Sequence, residues 1–226
     1  MYQNMPTKCL TGEVRLSYAN LIKPRAPIGA NGQPTGDPKY SVTLLIPKTD
    51  KATYDDLCAA INAAAQGGLN TKFGGYMPAL KPLIHDGDGT RADGKPYGDE
   101  CKGHWVLTAS TKNKPQVVGI DNINCELAPQ DIYSGMYARV TVNFFAFNNQ
   151  SKGVGCGLGN VLKTRDGEPL SGGASAASDF AGIGGAVSAP ATPAAAGVPQ
   201  QGYTAYAGYA VAPGQPMINP LTGQPM

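Results

Sequence analysis

Residues 137–147, YARVTVNFFAF, alternate two kinds of side chain along their whole length. One set is uniformly apolar, namely Ala138, Val140, Val142, Phe144 and Ala146. Alternate residues of a β-strand point to opposite sides of the sheet, so this set is predicted to face a core. The segment therefore predicts a long strand that is buried on one side.

The opposite face of the same strand mixes aromatic rings with charge. It carries Tyr137, Arg139, Thr141, Asn143, Phe145 and Phe147. A surface that stacks unpaired bases and pairs with phosphates needs flat rings beside cationic groups. We therefore expect Tyr137, Phe145 and Phe147 to stack bases and Arg139 to bind phosphate. The alternative is that a second sheet covers this row.

Strand patterns recur on both sides of this segment. They occupy residues 12–21, 40–46, 104–111, 116–120 and 152–162. In the first of these, Val14, Leu16 and Tyr18 share one face, and its predicted partner is the second. In the last, alternate residues are glycines, so its bare face is predicted to let another group approach closely.

One segment has a helical period instead. Tyr54, Leu57, Cys58, Ile61 and Ala65 recur three and four residues apart. Candidate caps precede them at Thr49 and Asp50, Gly67 and Gly68 follow as the stop, and loops are predicted at 24–38 and 81–103. The pattern predicts a mainly β fold, a small barrel of five or six strands with one inserted α-helix.

The composition changes sharply near residue 170. From residue 171 to residue 226 the only charged side chain is Asp179, while Ala, Gly and Pro dominate. Such a stretch buries too little apolar surface to offset the chain entropy of folding. We therefore predict one domain at 1–170 and a disordered tail at 171–226.

Charge and hydropathy exclude several classes of protein. The 18 basic and 16 acidic residues give a net charge of +2, so a nucleic-acid site must come from clustered cations. Apolar runs are far shorter than the roughly 20 residues of a membrane span, and the first residues do not resemble a signal peptide. The five cysteines form no paired motif, which favours reduced thiols and a cytoplasmic location.

Motifs for catalysis, metals or cofactors are weak. Asp86 and Asp88 resemble the start of a calcium loop, but the later glutamate is missing, so a charged turn is expected. The glycines of 153–159 fit neither nucleotide-binding spacing, and Cys101 with His104 lacks a second pair for zinc. We expect no enzyme activity, no cofactor and no metal.

Basic residues recur beside the predicted strands. They are Arg15, Lys23, Arg25, Lys39, Lys112 and Lys114. Each alone is an ordinary solvated charge, and only their convergence on one groove would make them phosphate ligands. Trp105, the sole tryptophan, is equally compatible with core packing and with base stacking.

Five segments in order carry a family resemblance. They are GEVRLSY at 12–18, KYSVTLLIPK at 39–48, DIYSGMYAR at 131–139, KGVGCGL at 152–158 and RDGEPL at 165–170. Together they resemble a family of phage single-stranded DNA-binding proteins. The resemblance implies an OB-fold barrel with an inserted helix, which coats single strands during phage replication and recombination.

The resulting hypothesis is a cytoplasmic, non-enzymatic protein that binds single-stranded DNA without sequence preference. Replication and recombination proteins of the phage or host are candidate partners, and the oligomeric state stays open. The alternative is a structural or adaptor protein of the virion that uses the barrel and the Tyr/Gly/Pro-rich tail for protein contacts.

Overall fold

The computed structural model describes residues 4–29, 32–91 and 93–170 of the chain. Within these ranges lie one α-helix and nine strands, which confirms the mainly β fold. They are β1 (Lys8–Leu10), β2 (Val14–Arg25), β3 (Lys39–Pro47), α1 (Lys51–Gly68), β4 (Ile84–Asp86), β5 (His104–Thr111), β6 (Val117–Gly119), β7 (Asn122–Glu126), β8 (Tyr137–Asn148) and β9 (Lys152–Arg165). The predicted disordered tail at 171–226 lies outside the described residues.

Five of the strands close a ring. β8 pairs with β2, β2 with β3, β3 with β5, β5 with β9, and β9 again with β8. Every junction is antiparallel except that between β5 and β9, which is parallel and registered by one pair, Ser110 and Gly157. The predicted small barrel is therefore confirmed as a closed ring of five strands.

The other four strands attach to the outside of this ring. β1 pairs with β8, β4 pairs with β5, and β6 forms a hairpin with β7 beside β9. The sequence pattern misses β1, β4 and β7 because three to five residues are too few to show a period. The predicted loops at 24–38 and 81–103 are correspondingly shorter, since β2 extends to Arg25 and β4 lies within the second loop.

The barrel interior is filled by the apolar row that the sequence predicts on β8. Val140 and Val142 are fully buried and Phe144 is 1% exposed. They meet Val154 and Cys156 of β9, while α1 covers the same core. Each buried aliphatic or aromatic side chain contributes about 1.5–3 kcal/mol by leaving water, so this row is a main source of stability.

The five cysteines are all free. Burial raises the pKa of the Cys156 thiol to about 12, and burial is also the main cause of the raised pKa of Cys9 and Cys101. These three side chains therefore stay protonated near neutral pH and pack as small apolar groups.

The helix begins where the sequence places a cap. The side chain of Asp50 accepts a hydrogen bond from the Thr53 backbone N–H at 3.0 Å. The Thr53 hydroxyl donates to the other Asp50 carboxylate oxygen at 2.6 Å and accepts from the Gly12 N–H at 2.8 Å. This network joins the helix terminus to the chain just before β2.

None of the described helices could span a membrane.

One prediction for β2 is wrong. Val14 and Leu16 are buried as expected, but Tyr18 is 65% exposed instead of facing the core. The cause is an irregularity between Ser17 and Asn20, where the pairing with β3 shifts register. At this irregularity Tyr18 has a φ of +48°, which turns its side chain away from the alternation of the strand.

Replacing Asp50 with alanine tests the cap. Because the carboxylate satisfies a free helix N–H and also holds Thr53, we expect Asp50→Ala to lower the free energy of unfolding by about 1–2 kcal/mol. Urea unfolding followed by circular dichroism measures this change. An unchanged midpoint would contradict the role of the cap, and Asp55→Asn, on the exposed face of the same helix, is the matched control.

Candidate nucleic-acid interface

The outer faces of β8 and β9 fit together because glycine lies opposite phenylalanine. Phe145 is registered with Gly155, and Phe147 with Gly153. A Cβ atom at either glycine would lie 2.8 Å from the opposing ring. Side chains at these positions would push the rings away. The group that approaches the bare glycine face of β9 is therefore the protein's own pair of rings, Phe145 and Phe147.

A groove with a volume of about 910 Å³ crosses the outer surface of the barrel next to Phe145. One row of outward residues runs across the strands at this level, since Ser41 is registered with Ser110, Ser110 with Gly157, Gly157 with Asn143, and Asn143 with Lys8. Four of these five residues are small or uncharged, which leaves a trough that runs across the strands.

The groove has cations around it and one exposed ring. Lys8, Lys39 and Lys112 line it, and Phe145, which is 48% exposed, forms part of its wall. Asp37 also lies at this end, with a carboxylate oxygen 2.6 Å from the Lys112 ammonium. A hydrogen bond and charge attraction from Lys112 lower the pKa of Asp37, with a smaller contribution from Lys39. The site can therefore hold phosphates and stack a flat group.

Three of the sequence-predicted residues meet at this groove, namely Lys39, Lys112 and Phe145. Lys23 and Arg25 are exposed at the end of β2, where Arg25 is registered with Lys39. They extend the cationic surface beyond the groove lining.

The structure divides the predicted outer row of β8. The pairing of β8 with β9 shifts register between Val140 and Val142, so the two halves of the row have different surroundings. At the Tyr137 end, the guanidinium carbon of Arg165 lies 3.4 Å from the ring centroid of Tyr137. Arg15 on the neighbouring strand donates to the backbone carbonyl of Glu168 at 2.7 Å. The protein's own segment 165–168 therefore covers Tyr137 and engages Arg15, away from the groove.

The remaining predicted residues also lie apart from the groove. Arg139 donates to the Thr11 carbonyl at 3.1 Å, and Lys114 pairs with Glu126 at 2.8 Å. Phe147 is half-buried over its glycine.

Trp105 stands at the opposite end of β5 from Ser110. Its ring stacks on Tyr54 of the helix with centroids 4.8 Å apart, and the Lys48 ammonium lies 4.9 Å from its centroid. Of the two readings that the sequence leaves open, the structure favours packing.

Lys48 also pairs with both aspartates of the predicted charged turn. Its ammonium lies 2.5 Å from Asp86 and 2.6 Å from Asp88, and these contacts lower the pKa of both carboxyl groups. Among the described residues, no group of three or more His, Cys, Asp or Glu side chains could hold a metal ion.

Sequence reasoning missed residues on two surfaces. Lys8 lines the groove but belongs to a strand of three residues. A smaller cavity of about 230 Å³ lies over β2, β3 and β5, lined among others by Tyr18, Arg91 and Tyr97. The sequence pattern did not predict this surface, because it placed Tyr18 in the core and Arg91 and Tyr97 in a loop.

The ring of five strands, closed by one parallel junction, places the chain among OB-fold-like barrels, whose surfaces bind oligonucleotides and oligosaccharides. More specifically, the chain belongs to the family described as Enterobacter phage Enc34 ssDNA-binding protein, whose family model matches residues 7–189. Protein p50 of Acyrthosiphon pisum secondary endosymbiont phage 1 is 32% identical over 178 residues, which are 74% of this chain and 88% of that protein.

Solved structures agree with this assignment. The single-stranded DNA-binding protein from bacteriophage Enc34 in complex with ssDNA is similar with a TM-score of 0.60 and 29% identity, covering 73% of this chain and 90% of that chain. A second structure of the Enc34 protein has a TM-score of 0.58 and 29% identity, covering 77% and 90%. The resemblance to phage single-stranded DNA-binding proteins and the OB-fold expectation are confirmed.

The contact between Phe145 and Gly155 can be tested by adding one methyl group. Gly155→Ala should displace the ring, lower the free energy of unfolding by about 1–3 kcal/mol, and weaken binding to an oligonucleotide. Thermal unfolding and fluorescence anisotropy measure the two effects. Gly67→Ala is the control because a Cβ there meets nothing within 4 Å. Wild-type behaviour of Gly155→Ala in both assays would refute the role of this contact.

Proposed function

We propose that this protein binds single-stranded DNA without sequence preference and coats it during phage replication and recombination. The observation that carries the proposal is the groove in which Phe145 is exposed beside Lys8, Lys39 and Lys112. The Enc34 protein, solved in complex with ssDNA, supports it from within the same family. The binding domain is residues 1–170, and the site of action is the host cytoplasm.

Stacking and charge supply the affinity. A base on the exposed face of Phe145 contributes about 1–3 kcal/mol, and it does so for any base because every base has a π-face. The lysine ammonium groups bind phosphates and release the counterions of the strand. Such contacts read no base edge, which explains why we assign no sequence preference.

The same contacts select unpaired strands. In a duplex the faces of the bases are covered by their neighbours, so the Phe145 ring has no free base to stack on. A single strand can turn its bases toward the sheet while its phosphates stay near the lysines. The action we propose is passive: the protein covers exposed template and needs no catalytic group or cofactor.

Of the DNA-binding residues that the sequence predicts, we propose that those in the groove and at its end contact the strand. Phe145 stacks, Lys39 and Lys112 bind phosphate, and Lys23 with Arg25 continue the cationic surface. We add Lys8, because it lines the same groove. Replication and recombination proteins of phage or host stay proposed partners.

A titration of a labelled oligonucleotide tests the proposal. With about three phosphates neutralised, the logarithm of the affinity should fall against the logarithm of salt concentration with a slope of about −2. Phe145→Ala should weaken binding roughly fivefold or more through loss of stacking. Fluorescence anisotropy at two salt concentrations, with matched duplex as competitor, measures both.

The control for this experiment is Ile123→Ala, which removes a side chain that is 65% exposed on β7, outside the groove. It should bind as the wild type does. Equal competition by duplex, or no dependence on salt, would refute the proposed function.

Asp37 provides a second test because it competes with phosphate for Lys112. An aspartate is ionised at neutral pH, and Lys112 lowers the pKa of Asp37 further, so a phosphate must displace the carboxylate. Asp37→Asn should raise oligonucleotide affinity roughly two- to fivefold, the range of an exposed ion pair. In the matched variant Glu126→Gln, which releases Lys114 outside the groove, affinity should change less. A reduced affinity of Asp37→Asn would contradict the assignment of Lys112 to phosphate.

A further inference from the structure

The loop that follows the helix presents an exposed tyrosine on a sharp turn. α1 ends at Gly68, and Tyr76 in the loop after it is 85% exposed. Gly74 and Gly75 have φ values of +71° and +86°, a backbone region that glycine adopts without steric cost. Phe73, just before these glycines, is fully buried in the core. The chain therefore turns directly from a buried ring to an exposed one.

Hydrogen bonds fix the start of this loop. The Gly68 carbonyl accepts from the backbone N–H groups of Lys72 at 2.8 Å and Phe73 at 2.9 Å. The Lys152 ammonium donates to the Phe73 carbonyl at 2.7 Å, which ties the loop to the first residue of β9. These contacts hold the turn from which Tyr76 projects.

The loop is cationic. Residues 57–85 include Lys72 and Lys81 but no aspartate or glutamate. Both lysine side chains are exposed. A phosphate at Lys72 therefore meets no competing carboxylate from the same segment, whereas in the groove Asp37 pairs with Lys112.

A cleft connects this loop with the groove. The cleft has a volume of about 210 Å³ and lies between the end of α1 and β8. Thr7 and Phe145 line both the cleft and the groove, while Thr71 and Lys72 line the cleft on its helix side. A strand that passes Phe145 in the groove therefore enters the cleft and meets Lys72.

The combination of ring and ammonium group suits a nucleotide. Tyr76 is four residues from Lys72, so their Cα atoms are at most about 14 Å apart. A base stacks on an exposed ring while phosphates of the same strand pair with nearby cations. A single exposed apolar side chain is ordinary on a protein surface. A ring on a fixed turn, in a loop without acidic residues beside the groove, fits a strand that extends past Phe145.

We infer that the loop after α1 is a second nucleotide-binding site, in which Tyr76 stacks a base and Lys72 binds phosphate. Its ligand is the part of a single strand that extends from the groove past Phe145. The site belongs to the inserted helix and the loop after it, outside the five strands of the ring. The inference rests on the proposed function, because the strand must occupy the groove as well.

Oligonucleotides of two lengths test the stacking contact. We expect Tyr76→Ala to weaken binding of an oligonucleotide of about 12 nucleotides roughly fivefold or more, and to leave binding of one of about 4 nucleotides unchanged. Tyr76→Phe should keep wild-type affinity for both, since it keeps the ring. Because the side chain is 85% exposed, neither variant should change the melting temperature. Fluorescence anisotropy and thermal unfolding measure these quantities.

The phosphate contact has its own test in the salt dependence. Lys72→Gln should reduce the slope of log affinity against log salt concentration by about 1 for the longer oligonucleotide and leave it unchanged for the shorter one. Lys51→Gln, the same change at the exposed start of the same helix, is the matched control and should leave both slopes unchanged.

Ile120→Ala is the control for lost apolar surface, since Ile120 is 58% exposed in the turn between β6 and β7. It should bind both oligonucleotides as the wild type does. If Tyr76→Ala keeps wild-type affinity for the longer oligonucleotide, weakens both equally, or lowers the melting temperature, the inference is overturned while the proposed function stands. If the wild type binds neither oligonucleotide, the proposed function fails and the inference fails with it.

Discussion

The pairing of a phenylalanine strand with a glycine strand is the constraint on which the rest of the barrel depends. In the register that places Phe145 beside Gly155, Phe144 faces inward beside Cys156. One alignment therefore packs the core and places the Phe145 ring against Gly155 on the outer surface. A slip of one residue would turn every side chain to the other face, so the core and the candidate binding surface are specified by the same register.

Much of this could be predicted from the sequence, because it depends on local pattern. The two faces of β8, the limits of β5 and the Asp50 cap follow from the period and from the chemistry of single residues. The candidate site was predicted only in part, since its cations come together through tertiary pairing. Lys8 lines the groove because β1, a strand of three residues, pairs with β8. A strand this short shows no hydrophobic period, so the sequence does not predict it.

The positions of three side chains have physical causes that the local sequence pattern does not contain. Tyr18 faces outward because β2 shifts register, and a single irregular residue reverses the alternation on which the prediction relied. The sequence pattern predicts an open Tyr137, whereas Arg165 at the end of β9 and Gly167 after it lie against its ring. Trp105 packs on the helix because the helix lies across that end of the barrel. Each outcome depends on contacts between residues far apart in the chain.

Electrostatics explains why the net charge of +2 says little about function. Several lysines in the described ranges are paired with carboxylates, including Lys48, Lys114 and Lys163. Such pairs cancel in the total, although each cation keeps its position on the surface. In the function we propose, a phosphate of the strand replaces the Asp37 carboxylate at Lys112, so recognition depends on where the charges lie and not on their sum.

The parallel junction between β5 and β9 has a thermodynamic consequence. It is registered by one residue pair, Ser110 and Gly157, whereas β8 and β9 are paired along most of their length. The groove crosses this sparsely bonded seam, and its lining includes residues from both sides. A molecule bound there contacts both sides of the seam, which lie together only in the folded barrel. It therefore binds the folded protein and not the unfolded chain. The apparent melting temperature then rises with the concentration of the molecule bound.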